Sequence, residues 1–233
     1  MTRLRQALSM LVKIAILSLL TWAPVAWPQV SASATVVSDY RWRGVSLSNG
    51  QAVPQFNVNY DNSQDWYAGL LISGVRFSGD GAGHQVVSYA GYGRRWEPGL
   101  SWDCGVSNVL FQPFNTYNYH EWFIGMASND VSARVYYAPH YFDQRSGSLY
   151  AEINASYPLG ERLQLLAHGG FLLNRTDQGL KPMRTDLRFG LNRTFDRWIW
   201  QVAFTWVSMM TPPYPNQLTG TPRSLILSAS HAF

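Results

Sequence analysis

Trp198-Ile199-Trp200-Gln201-Val202-Ala203-Phe204-Thr205-Trp206 carries a large apolar or aromatic side chain at every second position, with mostly smaller or polar groups between. Successive side chains of a strand point to opposite faces, so this stretch reads as a β-strand with one strongly apolar face. The same period sets Leu187, Phe189 and Leu191 against Asp186, Arg188 and Asn192, and Leu149, Ala151, Ile153 and Tyr157 against Glu152, Asn154 and Ser156. Such segments number about twelve and recur about every 17 residues, as tilted membrane-crossing strands with their turns do. They start near residues 30, 51, 65, 84, 99, 117, 131, 148, 162, 183, 197 and 223. After residue 30 no helical period and no long apolar run competes with this reading.

The connections separate a membrane barrel from a soluble one. They are tight at residues 61–65, 97–99, 129–130, 160–161 and 196–197, and longer, rich in Gly, Asn and Pro, at 44–51, 76–83, 111–118, 142–147, 174–182 and 211–222. An antiparallel outer-membrane barrel has an even number of strands, short periplasmic turns and longer extracellular loops. Tyr60, Trp66, Trp96, Trp102, Tyr157, Phe195 and Trp198 flank the short turns, where an interfacial girdle belongs. Charged residues are 14% of the 233 and aromatics 15%, against about 25% charged in soluble proteins. A soluble β-barrel or sandwich would need a charged exterior, which this composition does not supply. Pro54, in the second strand, belongs at an edge or a bulge.

Residues 1–30 read as a secretory signal peptide: Arg3, Arg5 and Lys13 precede an apolar run from Ile14 to Trp27. That run, about 14 residues, is short for a membrane-spanning helix. Cleavage falls between residues 26 and 34: Ala32-Ser33-Ala34 matches the small-x-small rule best, yet Val30 to Val37 also reads as the start of a strand, and residues 31–233 form the barrel. Without those three cations, the 18 Lys+Arg fall to 15 against 14 Asp+Glu, so the net +4 shrinks to +1 and a nucleic-acid partner is excluded. A single cysteine, Cys104, rules out an internal disulfide framework and has the parity of a lipid-facing packing residue.

The stretch Ser38-Asp39-Tyr40-Arg41-Trp42-Arg43-Gly44-Val45-Ser46-Leu47-Ser48-Asn49-Gly50 resembles the first-strand signature of the Gcw_chp or TorF-type porin family, proteobacterial outer-membrane proteins in which SDYRFRG-(I/V)-S-x-S-N-G is typical. Looser echoes follow at residues 66–69, 89–92, 117–121 and 150–154, and the chain ends on a serine-rich strand and Phe233. The chain departs from the family in its Pro-rich residues 211–215 and its scarcity of lysine. The resemblance implies a barrel in the outer membrane of a Gram-negative bacterium, classed as a porin by inference, with no catalytic residues and no cofactor. It also implies contact with outer-membrane lipids and the assembly machinery. Leu225, Leu227 and Phe233 look like the C-terminal assembly signal, with His231 where an aromatic is usual.

With the larger apolar face of each strand toward lipid, the inward set is Asp39, Arg41, Arg43, Asp103, Glu121, Arg134, Glu152, His168, Arg184, Asp186 and Arg188. Neighbouring strands lie about 4.8 Å apart, so Arg134 is placed to bridge carboxylates on its two neighbours. The inward charges serve two readings, a satisfied ion-pair ladder that plugs the barrel or a polar constriction that selects small polar solutes or ions. Arg41, Arg43, Arg184 and Arg188 hint at anions, with Asp39 and Asp186 interleaved. The alternatives are a closed structural barrel and a loop-binding one, with Phe111-Gln112-Pro113-Phe114 and residues 211–222 as candidate partner contacts or inward-folding loops. A lipid hydrolase is a further alternative, resting on Ser48, within Ser48-Asn49-Gly50, and on His231. No histidine precedes Ser48 by two residues, however, and Ser230 and His231 face opposite sides of a strand. His84, His120 and His140 lie toward the loop end without the spacing of a metal motif.

Overall fold

The computed structural model describes residues 29–62, 64–142, 147–177, 179–209 and 221–233. The signal peptide, apart from its last residues, lies outside them, as do residues 143–146 and 210–220 of two loops. The strands are β1 (Gln29–Val37), β2 (Arg41–Trp42), β3 (Val45–Ser46), β4 (Val53–Asp61), β5 (Trp66–Phe77), β6 (Gly81–Glu97) and β7 (Leu100–Gln112). Then follow β8 (Tyr119–Ala127), β9 (Val131–Ala138), β10 (Ser148–Pro158), β11 (Leu163–Thr176), β12 (Gly179–Phe195), β13 (Trp198–Met209) and β14 (Arg223–Ala232). All but β2 and β3 join in one closed antiparallel barrel of 12 strands, in which β1 pairs with β4 on one side and β14 on the other. The barrel spans the Gram-negative outer membrane.

The period-two faces fall as the sequence dictates. On β13, Trp200 is 55% exposed and Phe204 46%, whereas Ala203 is 2% exposed. Lipid replaces water against such an outer face, so the large groups point outward and the small and polar ones inward. Tyr60, Trp66, Trp96, Tyr157, Phe195 and Trp198 form an exposed aromatic ring beside the tight turns. His231 takes an aromatic's place in that ring, its imidazole edge-on to Trp198 at 4.9 Å and to Phe233 at 5.0 Å. Pro54 sits opposite Val36 of β1, one residue before β4 begins to pair with β5, so its missing N–H costs no ladder bond on that side.

The far end of the barrel departs from the expectation of uniformly long loops. Phe77 pairs with Gly81, and Thr176 with Gly179, so residues 76–77, 81–83, 174–176 and 179–182, expected in loops, belong to strands. Gly79, Gly81 and Gly179 accept the positive φ of the corners (97°, 94° and 100°). The other correction is larger. The first strand ends at Val37, and residues 38–52, expected to continue it and then loop outward at 44–51, turn into the lumen instead.

Candidate functional site

β2 and β3 are the arms of a miniature hairpin inside the barrel. Its two-residue turn is Arg43-Gly44, both with positive φ (50° and 80°), the geometry of a primed hairpin turn. A Cβ on Gly44 would lie 2.6 Å from Cβ of Asp186 on β12, so a glycine is needed for contact as well as for φ. Asp39 ties the base of the hairpin: it accepts from Arg41 Nε at 2.7 Å and from the hydroxyls of Ser46 at 2.5 Å and Ser48 at 3.3 Å. The Ser48 hydroxyl also accepts the Tyr40 N–H at 2.9 Å, and the Arg76 N–H on β5 donates to the Leu47 carbonyl at 2.7 Å.

The tip of the hairpin crosses the lumen. Arg43 donates from Nη2 to both carboxylate oxygens of Glu121 on β8, at 2.9 and 2.7 Å. Its guanidinium lies 4.4 Å from the ring of Tyr150, 4.9 Å from Tyr136, 5.5 Å from Tyr141 and 5.6 Å from Trp42. Ser107 donates to Glu121, Trp42 Nε1 donates to the Tyr119 hydroxyl at 2.8 Å, and Arg184 donates to the Arg43 carbonyl at 3.3 Å. A buried ion pair survives desolvation only when its remaining donors and acceptors are satisfied, and this one is enclosed by aromatic faces and hydrogen bonds.

Outward of the hairpin the interior is apolar. Leu47, Val75, Phe77, Val109, Phe111, Tyr141, Phe142 and Leu172 form one buried cluster, with Phe114 and Tyr117 packed on it. Phe111 and Phe114, read from sequence as a partner surface or an inward fold, fold inward against Phe77 at 5.8 and 5.0 Å. Tyr117, in the single turn of 3-10 helix Asn115–Tyr117, donates to Asp80, and burial and that bond push its phenol above the ordinary value.

Toward the periplasm lies a polar cavity of about 550 Å³, lined in part by Asp39, Arg41, Glu152, His168, Asp186 and Arg188. His168 bonds Asp186 at 2.9 Å and Asn154 at 2.7 Å, and the Tyr150 hydroxyl donates to Asp186. Beside it a second cavity of about 520 Å³ borders Glu121 and Arg134. Arg134 reaches Asp103 at 2.5 Å, two strands away, where the same carboxylate accepts from Tyr67. Gly125 stands between them on β8, and a Cβ there would lie 2.5 Å from Asp103 Oδ1. The expected bridge to the neighbouring strands is thus corrected: Arg134 steps over the glycine to Asp103, and Glu121 is taken by Arg43. Glu152, level with Arg134, accepts from the Tyr136 hydroxyl at 3.3 Å and from Asn154 at 3.4 Å.

The eleven expected residues therefore separate by position, with Arg41 and Arg43 on the hairpin and Asp39 at its base instead of on the first strand, Arg184 buried behind its tip, and the rest on the wall. Tyr136, Tyr150, Tyr119 and Tyr141 were missed, although Tyr136 and Tyr150 share the inward parity of Arg134 and Glu152. Ser48 is wholly buried beside Asp39, and His231 lies at the periplasmic rim, so the two form no dyad. Among the described residues no three His, Cys, Asp or Glu side chains gather as a metal site, and His84, His120 and His140 do not supply one.

A closed 12-strand barrel with an aromatic belt and an inward hairpin defines a porin-like outer-membrane protein. Solved structures agree with the fold: a KdgM porin aligns with a TM-score of 0.55 at 12% identity over 87% of this chain and 99% of its own. The NanC porin gives 0.56 at 9% over 87% and 99%. OmpF of Salmonella typhi, in complex with daunomycin, gives 0.51 at 8% over 88% and 97%. No curated protein matches the sequence. The model of a family described as bacterial protein of unknown function, Gcw_chp, matches residues 23–223, and the chain belongs to that family.

Proposed function

We propose that this barrel is a narrow channel for small polar solutes or ions, with its bore set by the Asp39-to-Gly50 hairpin. The carrying observation is the hairpin itself, which spans the lumen at the boundary between an apolar outer half and a polar cavity of about 550 Å³. A barrel of about twelve strands is wide enough for a pore only if its interior is not filled by side chains, and here the filling is confined to one end. The lining then selects by charge and size, as rings of ionisable groups do. Single-channel recording of the refolded mature protein tests this, with discrete steps expected. Neutralising Arg184 and Arg188 together is expected to change the ion selectivity. A barrel silent both as wild type and with the hairpin replaced by a Gly-Ser linker overturns the channel reading.

The aromatic packing around Arg43 favours a second reading, a closed structural barrel. Its signature is a silent wild type whose hairpin-replaced variant conducts. The lipid-hydrolase alternative has no support from Ser48 and His231, which stand apart. Leu225, Leu227 and Phe233 present an outward apolar row at the last strand, suited to recognition by the assembly machinery. The signal peptide is cleaved after Ala26, because a cut after Ala34 would strip Gln29 to Ala34 from a ladder that pairs with β4. Intact-mass measurement of the exported protein is expected to give a start at Trp27.

A further inference from the structure

Most charges bordering the periplasmic cavity are already paired. Asp39 holds Arg41, Glu121 holds Arg43, and Asp186 is hydrogen-bonded to His168 and Tyr150. Arg188 and Glu152 are different: among the described residues neither has an ion-pair partner, and both border the cavity of about 550 Å³. Arg188 is exposed to that space on β12, level with His168, and Glu152 is half-buried on β10, level with Gly170. The two lie two strands and two residues apart, about 12 Å between Cα atoms by standard sheet spacing, and both side chains extend into the same cavity. Asp130 borders the adjoining recess of about 220 Å³ that Arg188 also lines, and the two form no ion pair.

The lining carries three arginines (41, 43 and 188) against three carboxylates (39, 152 and 186), and Glu121, the partner of Arg43, borders the neighbouring cavity. A simple anion drawn to Arg188 therefore meets uncompensated repulsion from Glu152, and a simple cation drawn to Glu152 meets Arg188. A solute bearing both charges satisfies both poles at once. Asn154, His168 and Asp186 lie between the two poles, and uncharged hydrogen-bonding groups such as Asn192, Gln201, Ser228 and Ser230 line the rest of the cavity.

We infer that this cavity is a binding site for small zwitterions, with the carboxylate at Arg188 and the ammonium group at Glu152. The inference rests on the channel reading for its purpose, but binding is measured in micelles where no current flows, so each can fail without the other. Titration calorimetry of the folded barrel with glycine, 4-aminobutyrate and 6-aminohexanoate tests it, with butyrate and butylammonium as single-charge controls. The expected result is that one of the longer zwitterions binds at least about tenfold more tightly than either control, a difference of about 1.4 kcal/mol. Arg188→Gln and Glu152→Gln each remove that advantage. Neither change breaks an ion pair, and the carboxamide of Glu152→Gln still accepts from Tyr136, so heat-modifiable gel mobility should stay normal. Butyrate binding as tightly as 4-aminobutyrate, an unaffected Glu152→Gln variant, or no binding by a correctly folded barrel would each overturn the inference.

Discussion

The two halves of the barrel interior are built by the same strands and differ in nearly everything else. Along β7, the inward positions run Asp103, Gly105, Ser107, Val109, Phe111, from polar near the tight turns to apolar at the far end. Along β5 they run Tyr67, Gly69, Leu71, Ser73, Val75, Phe77. The outer half is therefore packed on both faces, with lipid outside and the aromatic cluster and hairpin inside, whereas the periplasmic half keeps polar side chains around open volume. One cylinder thus holds a stopper and a vestibule, and the division lies along each strand instead of between strands.

Replacing residues 39–50 by a short Gly-Ser linker is the strongest way to break that contrast. It is expected to raise single-channel conductance at least about twofold, because Tyr40, Trp42, Arg43 and Leu47 leave the lumen and only the aromatic side chains of the wall still narrow its outer half. Glu121→Ala leaves Arg43 buried without its carboxylate and is expected to cost about 3–5 kcal/mol, read as a lower urea midpoint. A periplasmic-half counterpart sharpens the comparison. Gly125→Val blocks the path of Arg134 to Asp103 and is expected to cost about 1–3 kcal/mol while leaving the conductance of the hairpin-deleted barrel nearly unchanged. Thr35→Val removes the 2.8 Å hydroxyl bond to Ser230 across the β1–β14 seam. Its expected cost is about 0.5–1.5 kcal/mol, the smallest of the three costs, and thermal melting of the single variant measures it.

The strands were legible because lipid makes their outer face uniform. Trp198, Trp200, Val202 and Phe204 all obey one constraint, and each expected strand start falls close to an observed one. The inward turn at Ser38 was not legible, since Ser38-Asp39-Tyr40-Arg41-Trp42-Arg43 alternates like a strand. Its two-residue arms are too short to show a period of their own, and Arg-Gly is not the usual hairpin pair. The length of β6 and β12 was obscured because Gly and Pro near Gly83 and Pro182 read as loop. Within the site, the inward parity of wall residues such as Arg134 and Glu152 was readable along their strands, whereas Asp39, Arg41 and Arg43 read as part of a strand that ends at Val37. The ion-pair partners were not readable, because a pairing such as Arg134 with Asp103 depends on the missing side chain at Gly125, and Glu121 with Arg43 on a segment distant in sequence.

The seam between β1 and β14 joins the two ends of the barrel: Thr35 and Ser230, hydrogen-bonded here, are 195 residues apart along the chain. Closing a loop of that length costs conformational entropy that no local contact repays in advance, so the cylinder has to wait for its last strand. The hairpin leaves β1 directly beside this seam, and its anchor Ser38 exchanges bonds with Leu227 on β14. Sealing the wall therefore also fixes the base of the stopper, and a chain truncated before β14 would lose both the seam and the Leu227 bonds to Ser38.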